Sequence, residues 1–231
     1  MISAILFDKD GTLFDFQVSW SAWAMTFLRD AAGGDEQRAA RLGDVLGFDW
    51  QAARFREDSC VIAGTDDDIV TALMPEIPGV SRQDMKTRIA LAAAEAPMRE
   101  AVPLAPFLDD LKARGLAGGV ATNDTEATAR AHLTTAKVLE RFDFVTGADS
   151  GHGAKPGPGM CLAFAAALGL PPEQVRMVGD SLHDLHAGRA AGMRTIEVCV
   201  TSTLTNRRRH VIAPVRGLVW SPLRASSAIS V

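Results

Sequence analysis

Two carboxylates stand two residues apart just after the first apolar run of the chain, in Asp8-Lys9-Asp10-Gly11-Thr12-Leu13. A carboxylate at the end of a buried strand can attack phosphorus when a hard cation screens its charge and neutralises the phosphoryl oxygens. In that chemistry Asp8 is the nucleophile. Asp10 is the general acid that protonates the leaving oxygen, and afterwards the base that activates water against the aspartyl phosphate. Gly11 lets the backbone turn sharply between them and the next element. The purely structural alternative is a turn in which both Asp side chains bind backbone amides.

Three further sites supply what such a reaction needs. Thr122 ends the run Val120-Ala121-Thr122, where its hydroxyl and the amide of Asn123 can donate to phosphoryl oxygens. The competing role for Thr122 is an ordinary helix cap. Lys155 is one cation in a loop rich in Gly and Pro, Gly151 to Gly159, and an ammonium near Asp8 would hold the nucleophile ionised. Its alternative is a solvated loop lysine. Asp180 and Asp184 follow another apolar run in Met177-Val178-Gly179-Asp180-Ser181-Leu182-His183-Asp184. Asp180 would ligate Mg²⁺ with Asp8 and the backbone carbonyl of Asp10, and Asp184, one helical turn on, would complete the outer shell or orient Lys155. His152 reads as a surface loop residue. His183 and His186 lack the spacing of a helical zinc pair and read as helix surface.

The elements that must position these residues are short apolar runs separated by helical stretches. Strands are expected at Ile2 to Phe7, Leu116 to Thr122, Phe142 to Thr146, Val175 to Val178 and Thr195 to Val200. Asn123 to Thr125, Pro158 and Ser181 can open the helices between them. That alternation predicts an α/β fold, a parallel sheet flanked by helices, with Asp8, Thr122 and Asp180 converging at the carboxyl ends of its strands. About 100 residues separate the first two strands where a crossover needs only a dozen or more, so something is inserted. Helical patterns at Ser19 to Ala32, Asp35 to Leu46, Asp66 to Leu73 and Ser81 to Ala94 make it a small α-helical domain, residues 16–97, with the main domain formed by 1–15 and 98–231. The main domain resumes with a helix over Phe107 to Arg114.

Taken together, these residues resemble the haloacid dehalogenase superfamily of phosphatases, whose four motifs are matched in order. The matches are Asp8 and Asp10 in Asp-Lys-Asp-Gly-Thr-Leu, Thr122, Lys155 before Pro156, and Asp180 with Asp184 in Gly-Asp-Ser-Leu-His-Asp. The resemblance runs from Met1 to about Val200 and is nearest to the phosphoglycolate phosphatase branch. It implies a Rossmann-like core, a helical C1-type cap inserted between the first and second motifs, Mg²⁺ as cofactor and an aspartyl-phosphate intermediate. The expected activity is hydrolysis of a small phosphorylated metabolite, with 2-phosphoglycolate a candidate. A phosphomutase of the β-phosphoglucomutase type is the alternative, and a non-catalytic phosphate-binding regulatory protein a further one. In the insert, Arg54, Arg56 and the Ala63-Gly64-Thr65 loop could meet a substrate carboxylate, while Phe14, Phe16, Trp20 and Trp23 suit core packing.

Composition bounds the partners. The 231 residues are 47% hydrophobic and 23% charged with a net charge of −4, which suits a globular chain with no global attraction to nucleic acid or anionic lipid. No apolar stretch reaches the roughly 18 to 20 residues of a membrane span, and Cys60, Cys161 and Cys199 match no zinc or redox spacing. A cytoplasmic enzyme without nucleic-acid or membrane partners is expected, its oligomeric state open. After Glu197 the chain holds five Arg and no acidic residue, a departure from the family that puts the sheet edge beyond Val200 in question and predicts a mobile tail cleaved first near Arg207 to Arg209.

Overall fold

The computed structural model describes residues 1–198, so the expectations for the tail and for Cys199 lie outside the described residues. Strand β1 (Ala4–Phe7) opens the chain, and all four of its residues are buried. The insert follows as α1 (Phe16–Ala31), α2 (Glu36–Val45), a hairpin of β2 (Phe48–Asp49) and β3 (Arg54–Phe55), α3 (Cys60–Ala63), α4 (Asp66–Leu73) and α5 (Arg82–Ala94). The chain then builds α6 (Leu104–Ala113), β4 (Ala117–Ala121), α7 (Glu126–Thr135), β5 (Phe144–Thr146), α8 (Gly159–Ala167), β6 (Val175–Gly179), α9 (Leu182–Ala190) and β7 (Arg194–Glu197).

The main sheet has the order β5-β4-β1-β6-β7, every pair parallel. β1 is central, which is why it is apolar on both faces. Its period-2 alternation divides the core: Ile5 and Phe7 pack with Leu104, Leu108 and Leu133 of α6 and α7, whereas Ala4 and Leu6 pack with Met160, Phe164 and Ala187 of α8 and α9.

The insert has an apolar cluster of its own, including Trp23, Phe27, Leu42, Phe48, Leu73 and Ile89. Its entry and exit strands run side by side. The Asp15 N–H donates to the Arg99 carbonyl at 2.8 Å and the Ala101 N–H to the Leu13 carbonyl at 2.9 Å. Asp15 also caps α1, its side chain accepting from the Val18 N–H at 3.0 Å. Thus one short segment ends the Asp8–Leu13 loop, starts the insert and holds the returning chain. The hairpin and α3 are absent from the sequence expectation, because two-residue strands and a four-residue helix carry no readable period. α6 begins at Leu104, earlier than the expected Phe107, since Pro103 can stand at the helix entrance without a donor to satisfy.

Candidate active site

Strand register delivers the acidic residues to one place. Phe7 lies beside Val120 on one side and Val178 on the other, so the residues just beyond all three strands emerge together. The Asp8 N–H continues the ladder to the Val178 carbonyl at 2.8 Å and fixes Asp8 at the sheet's carboxyl edge.

Asp8, Asp180 and Asp184 each place a carboxylate oxygen within 4.8 Å of the others. Lys155 lies against them, its Nζ donating to Asp8 Oδ1 at 2.5 Å, Asp184 Oδ1 at 2.6 Å and the Ala121 carbonyl at 2.9 Å. The lysine is buried, which overturns the solvated alternative. Burial pushes the Asp8 carboxyl well up from its ordinary range, and the Asp184 charge adds to this while Lys155 opposes it. Burial also works against the Lys155 ammonium, but Asp8 and Asp184 outweigh it and hold the lysine protonated. Asp180 is raised to about 6 by burial and then by Asp184, against a hydrogen bond from the Thr12 hydroxyl at 3.1 Å.

Asp184 has a second duty. It is the third residue of α9, where its Oδ2 accepts from the Ser181 N–H at 3.0 Å and hydroxyl at 2.7 Å. A capping box therefore aims the opposite oxygen at Lys155. Two glycines make room for the carboxylates. Gly11 has φ 82°, and a Cβ there would stand 2.1 Å from Asp180 Oδ2; a Cβ on Gly179 would stand 2.3 Å from Asp184.

Asp10 is held from behind. Trp20 Nε1 donates to its Oδ1 at 2.8 Å, and Lys9 Nζ lies 3.0 Å from Oδ1 and 2.9 Å from Oδ2. Neither Asp8 nor Asp10 therefore behaves as a simple cap on backbone amides. Trp20 packs in the insert, as expected, but its indole N–H also holds Asp10, a contact that sequence reasoning missed. Lys9 was missed too: it is fully buried, pairs with Asp124 at 3.0 Å and sits 5.4 Å from the Trp20 ring centroid. The available signal was a lysine flanked by two acids at a strand end, with a third acid in Thr-Asn-Asp.

Thr122 is buried at the end of β4, and its Oγ1 accepts from the Asp124 N–H at 3.1 Å, which leaves its own proton free to donate. The cap of α7 is Thr125 and not Thr122. The Asn123 side chain clasps the Lys155 backbone, with Nδ2 donating to its carbonyl at 2.9 Å and Oδ1 accepting from its N–H at 2.8 Å. Nδ2 also reaches the Ala63 carbonyl of the insert at 2.8 Å. His183 reaches the same carbonyl through Nδ1 at 3.1 Å, so it is half-buried in the cleft wall and not simple helix surface. His152 and His186 are exposed. Arg56 turns away to Asp44 and Asp58, and neither it nor Arg54 lines the cleft.

These residues surround an open cleft of about 500 Å³, solvent included, between the strand ends and the insert. Asp8, Asp10, Thr122, Asn123 and Lys155 line its floor, and residues 61–66 with Ile69 line its roof. Three carboxylates against one ammonium leave the Asp8 cluster with net negative charge, and all its side-chain donors are hard oxygens. That set fits a hard divalent cation such as Mg²⁺. Among the described residues no helix is long and apolar enough to cross a membrane.

Comparison with known proteins adds a family. The haloacid dehalogenase-like hydrolase family matches residues 2–192. The chain is 31% identical to the probable phosphatase IndB of Dickeya dadantii (strain 3937) over 84% of its length and 80% of that protein. It is 30% identical to hexitol phosphatase B of Escherichia coli (strain K12) over 93% and 91% of the two chains. With the phosphoglycolate phosphatase of Shigella boydii serotype 4 (strain Sb227) the identity is 28% over 84% and 80%. Among solved structures, CbbY from Rhodobacter sphaeroides in complex with phosphate superposes with a TM-score of 0.63 at 21% identity, covering 90% of each chain. The β-phosphoglucomutase of Clostridium difficile gives 0.57 at 16% identity, covering 86% and 85%. At these identities the two structures speak for the Rossmann-like fold alone.

Proposed function

The chain belongs to the haloacid dehalogenase-like hydrolase family and is a phosphatase, and we propose that it is a Mg²⁺-dependent phosphomonoesterase working through an aspartyl phosphate on Asp8. The observation that carries this reading is the buried contact of Lys155 with both Asp8 and Asp184 at the mouth of the parallel sheet. It gives a carboxylate nucleophile a fixed direction and a permanent positive neighbour.

Asp8 attacks the phosphorus while the Lys155 ammonium and the Thr122 hydroxyl donate to phosphoryl oxygens, assisted by the Asn123 backbone N–H. Asp10 gives its proton to the leaving oxygen, then takes one from the water that cleaves the aspartyl phosphate. Lys9 and Trp20 hold its carboxylate in place through both steps. Asp8, Asp180 and the Asp10 backbone carbonyl would hold the cation, with Asp184 behind them orienting Lys155. A bound Mg²⁺ supplies charge neutralisation between the attacking carboxylate and the phosphoryl oxygens.

Phosphate release from a panel of phosphomonoesters, with Mg²⁺ and with EDTA, tests this directly. Asp8→Asn should abolish turnover, and activity within about tenfold of the parent, a barrier change of only about 1.4 kcal/mol, would remove the covalent mechanism. In ¹⁸O-labelled water the released phosphate should carry label. Isomerised sugar phosphate forming faster than free phosphate would instead establish a mutase.

A further inference from the structure

The roof of the cleft holds one charged side chain, Asp66, the first residue of α4. No Lys or Arg of the insert lines the cleft with it. Asp66 is only 9% exposed, and its Oδ2 is buried without a hydrogen-bond partner among the described residues. The nearby charges are engaged elsewhere: Lys86 of α5 pairs with Asp67 at 3.0 Å, and Asp124 across the cleft lies 3.0 Å from the Lys9 ammonium. A buried carboxylate oxygen without a donor is costly, and the α4 N-terminus offsets part of that cost without supplying the missing hydrogen. Asp66 lines the cleft, so a donor can approach its carboxylate from above the phosphate floor, where the leaving group of a phosphomonoester would stand.

We propose that Asp66 selects the substrate, accepting a hydrogen bond from a hydroxyl of the leaving group, so that the preferred substrates are phosphorylated polyols or sugars and not phosphorylated carboxylic acids. This rests on the phosphatase reading above and narrows it. A substrate carboxylate would face Asp66 with no basic residue in the roof to receive it, and like charges in a partly desolvated cleft discriminate strongly. The Ala63-Gly64-Thr65 loop does line the cleft, but as backbone and a hydroxyl; the two arginines that could have received an acid lie elsewhere. Burial, then the charge of Asp124, raises the Asp66 carboxyl to about 7, so at pH 8 the carboxylate form predominates.

The test uses a pair of substrates that differ in one terminal group. At pH 8 with Mg²⁺, kcat/KM is measured for glycerol 3-phosphate and 3-phosphoglycerate, with propyl phosphate, O-phosphoethanolamine and p-nitrophenyl phosphate alongside. Glycerol 3-phosphate should exceed both 3-phosphoglycerate and propyl phosphate by at least about tenfold, the range of one hydrogen bond to a charged group. Asp66→Asn should shrink its advantage over 3-phosphoglycerate, and Asp66→Lys should invert it. Equal factors on every substrate in these variants would make Asp66 merely structural and overturn the proposal. So would a parent enzyme that prefers 3-phosphoglycerate, or one that prefers O-phosphoethanolamine, which would make Asp66 a reader of ammonium. No phosphate from any ester, p-nitrophenyl phosphate included, would overturn the phosphatase reading itself and the proposal with it.

Discussion

The Lys9 ammonium lies 3.0 Å from His132 Nδ1 in the interior of the protein, between the catalytic loop and α7. An ammonium only donates, so Nδ1 accepts, and the remaining ring N–H at Nε2 donates to the Ala93 carbonyl of α5 at 2.7 Å. The Lys9 ammonium thus has Asp10, Asp124 and His132 all within 3.0 Å. One buried lysine joins Asp10, the core and, through the imidazole, the insert.

Removing that cation should therefore unsettle more than one element. In Lys9→Met the apolar stem is kept, but Asp10 and Asp124 are left as buried carboxylates without their partner. A loss of about 3–5 kcal/mol is expected, as for breaking a buried pair from one side. Urea unfolding monitored by circular dichroism gives the number. A loss below about 1 kcal/mol would mean the acids find water or protons instead.

The same imidazole predicts a pH dependence. Burial, then the Lys9 charge, pushes His132 down to about 4, while in the unfolded chain it titrates near 6.5. Between those values the unfolded state binds the proton and the folded state does not. The His132 contribution is thus complete above about pH 6.5 and is lost as pH falls through about 4, with a ceiling of about 3 kcal/mol. His132→Asn should start less stable and lose less between pH 7 and pH 4.5 than the parent. Parallel urea midpoints for the two proteins would show that this imidazole does not titrate as described.

Much of this arrangement is legible in the sequence. Asp8, Thr122 and Asp180 could be brought together on paper, because in a parallel sheet every strand presents its carboxyl end to the same edge, and apolar runs mark the strands. The Ser181 cap and the Asp66–Leu73 helix are readable because local chemistry sets helix starts. What escaped was long-range and polar. Nothing local distinguishes Lys9 buried against His132, 123 positions away, from a solvated lysine. Asn123 and Asp66 owe their surroundings to the seating of the insert on the core, which no period in the sequence encodes.

Gly11 offers a test of the proposed metal site that leaves every carboxylate in place. In Gly11→Ala the new methyl would collide with Asp180 Oδ2, and the positive φ of 82° adds backbone strain. Since the neighbouring backbone is tied into the Asp10 loop, the Asp180 side chain is the part able to move. The Mg²⁺ concentration for half-maximal activity should rise by about tenfold or more, equivalent to about 1.4 kcal/mol of cation binding. Circular dichroism should remain that of the parent. An unchanged Mg²⁺ requirement would place the cation away from Asp180.

Asn123 separates phosphate contact from closure of the insert. Its backbone N–H is the group assigned to the phosphate, whereas its side chain holds both backbone groups of Lys155 and the Ala63 carbonyl. Asn123→Ala keeps the first and deletes the second, leaving the buried Lys155 N–H without an acceptor. The loss of kcat/KM should be about 10- to 100-fold, the effect of about 1–3 kcal/mol for an unpaired buried donor. Asn123→Asp can still accept from Lys155 but cannot donate to either carbonyl, so it should not rescue. If the Ala63 contact holds the insert over the cleft, amide hydrogen exchange across Cys60–Ala63 should quicken in both variants, while the amides of β1, paired on both sides, stay protected. Unchanged exchange in α3 would leave His183, whose ring reaches the same carbonyl, as the side chain that keeps the insert closed.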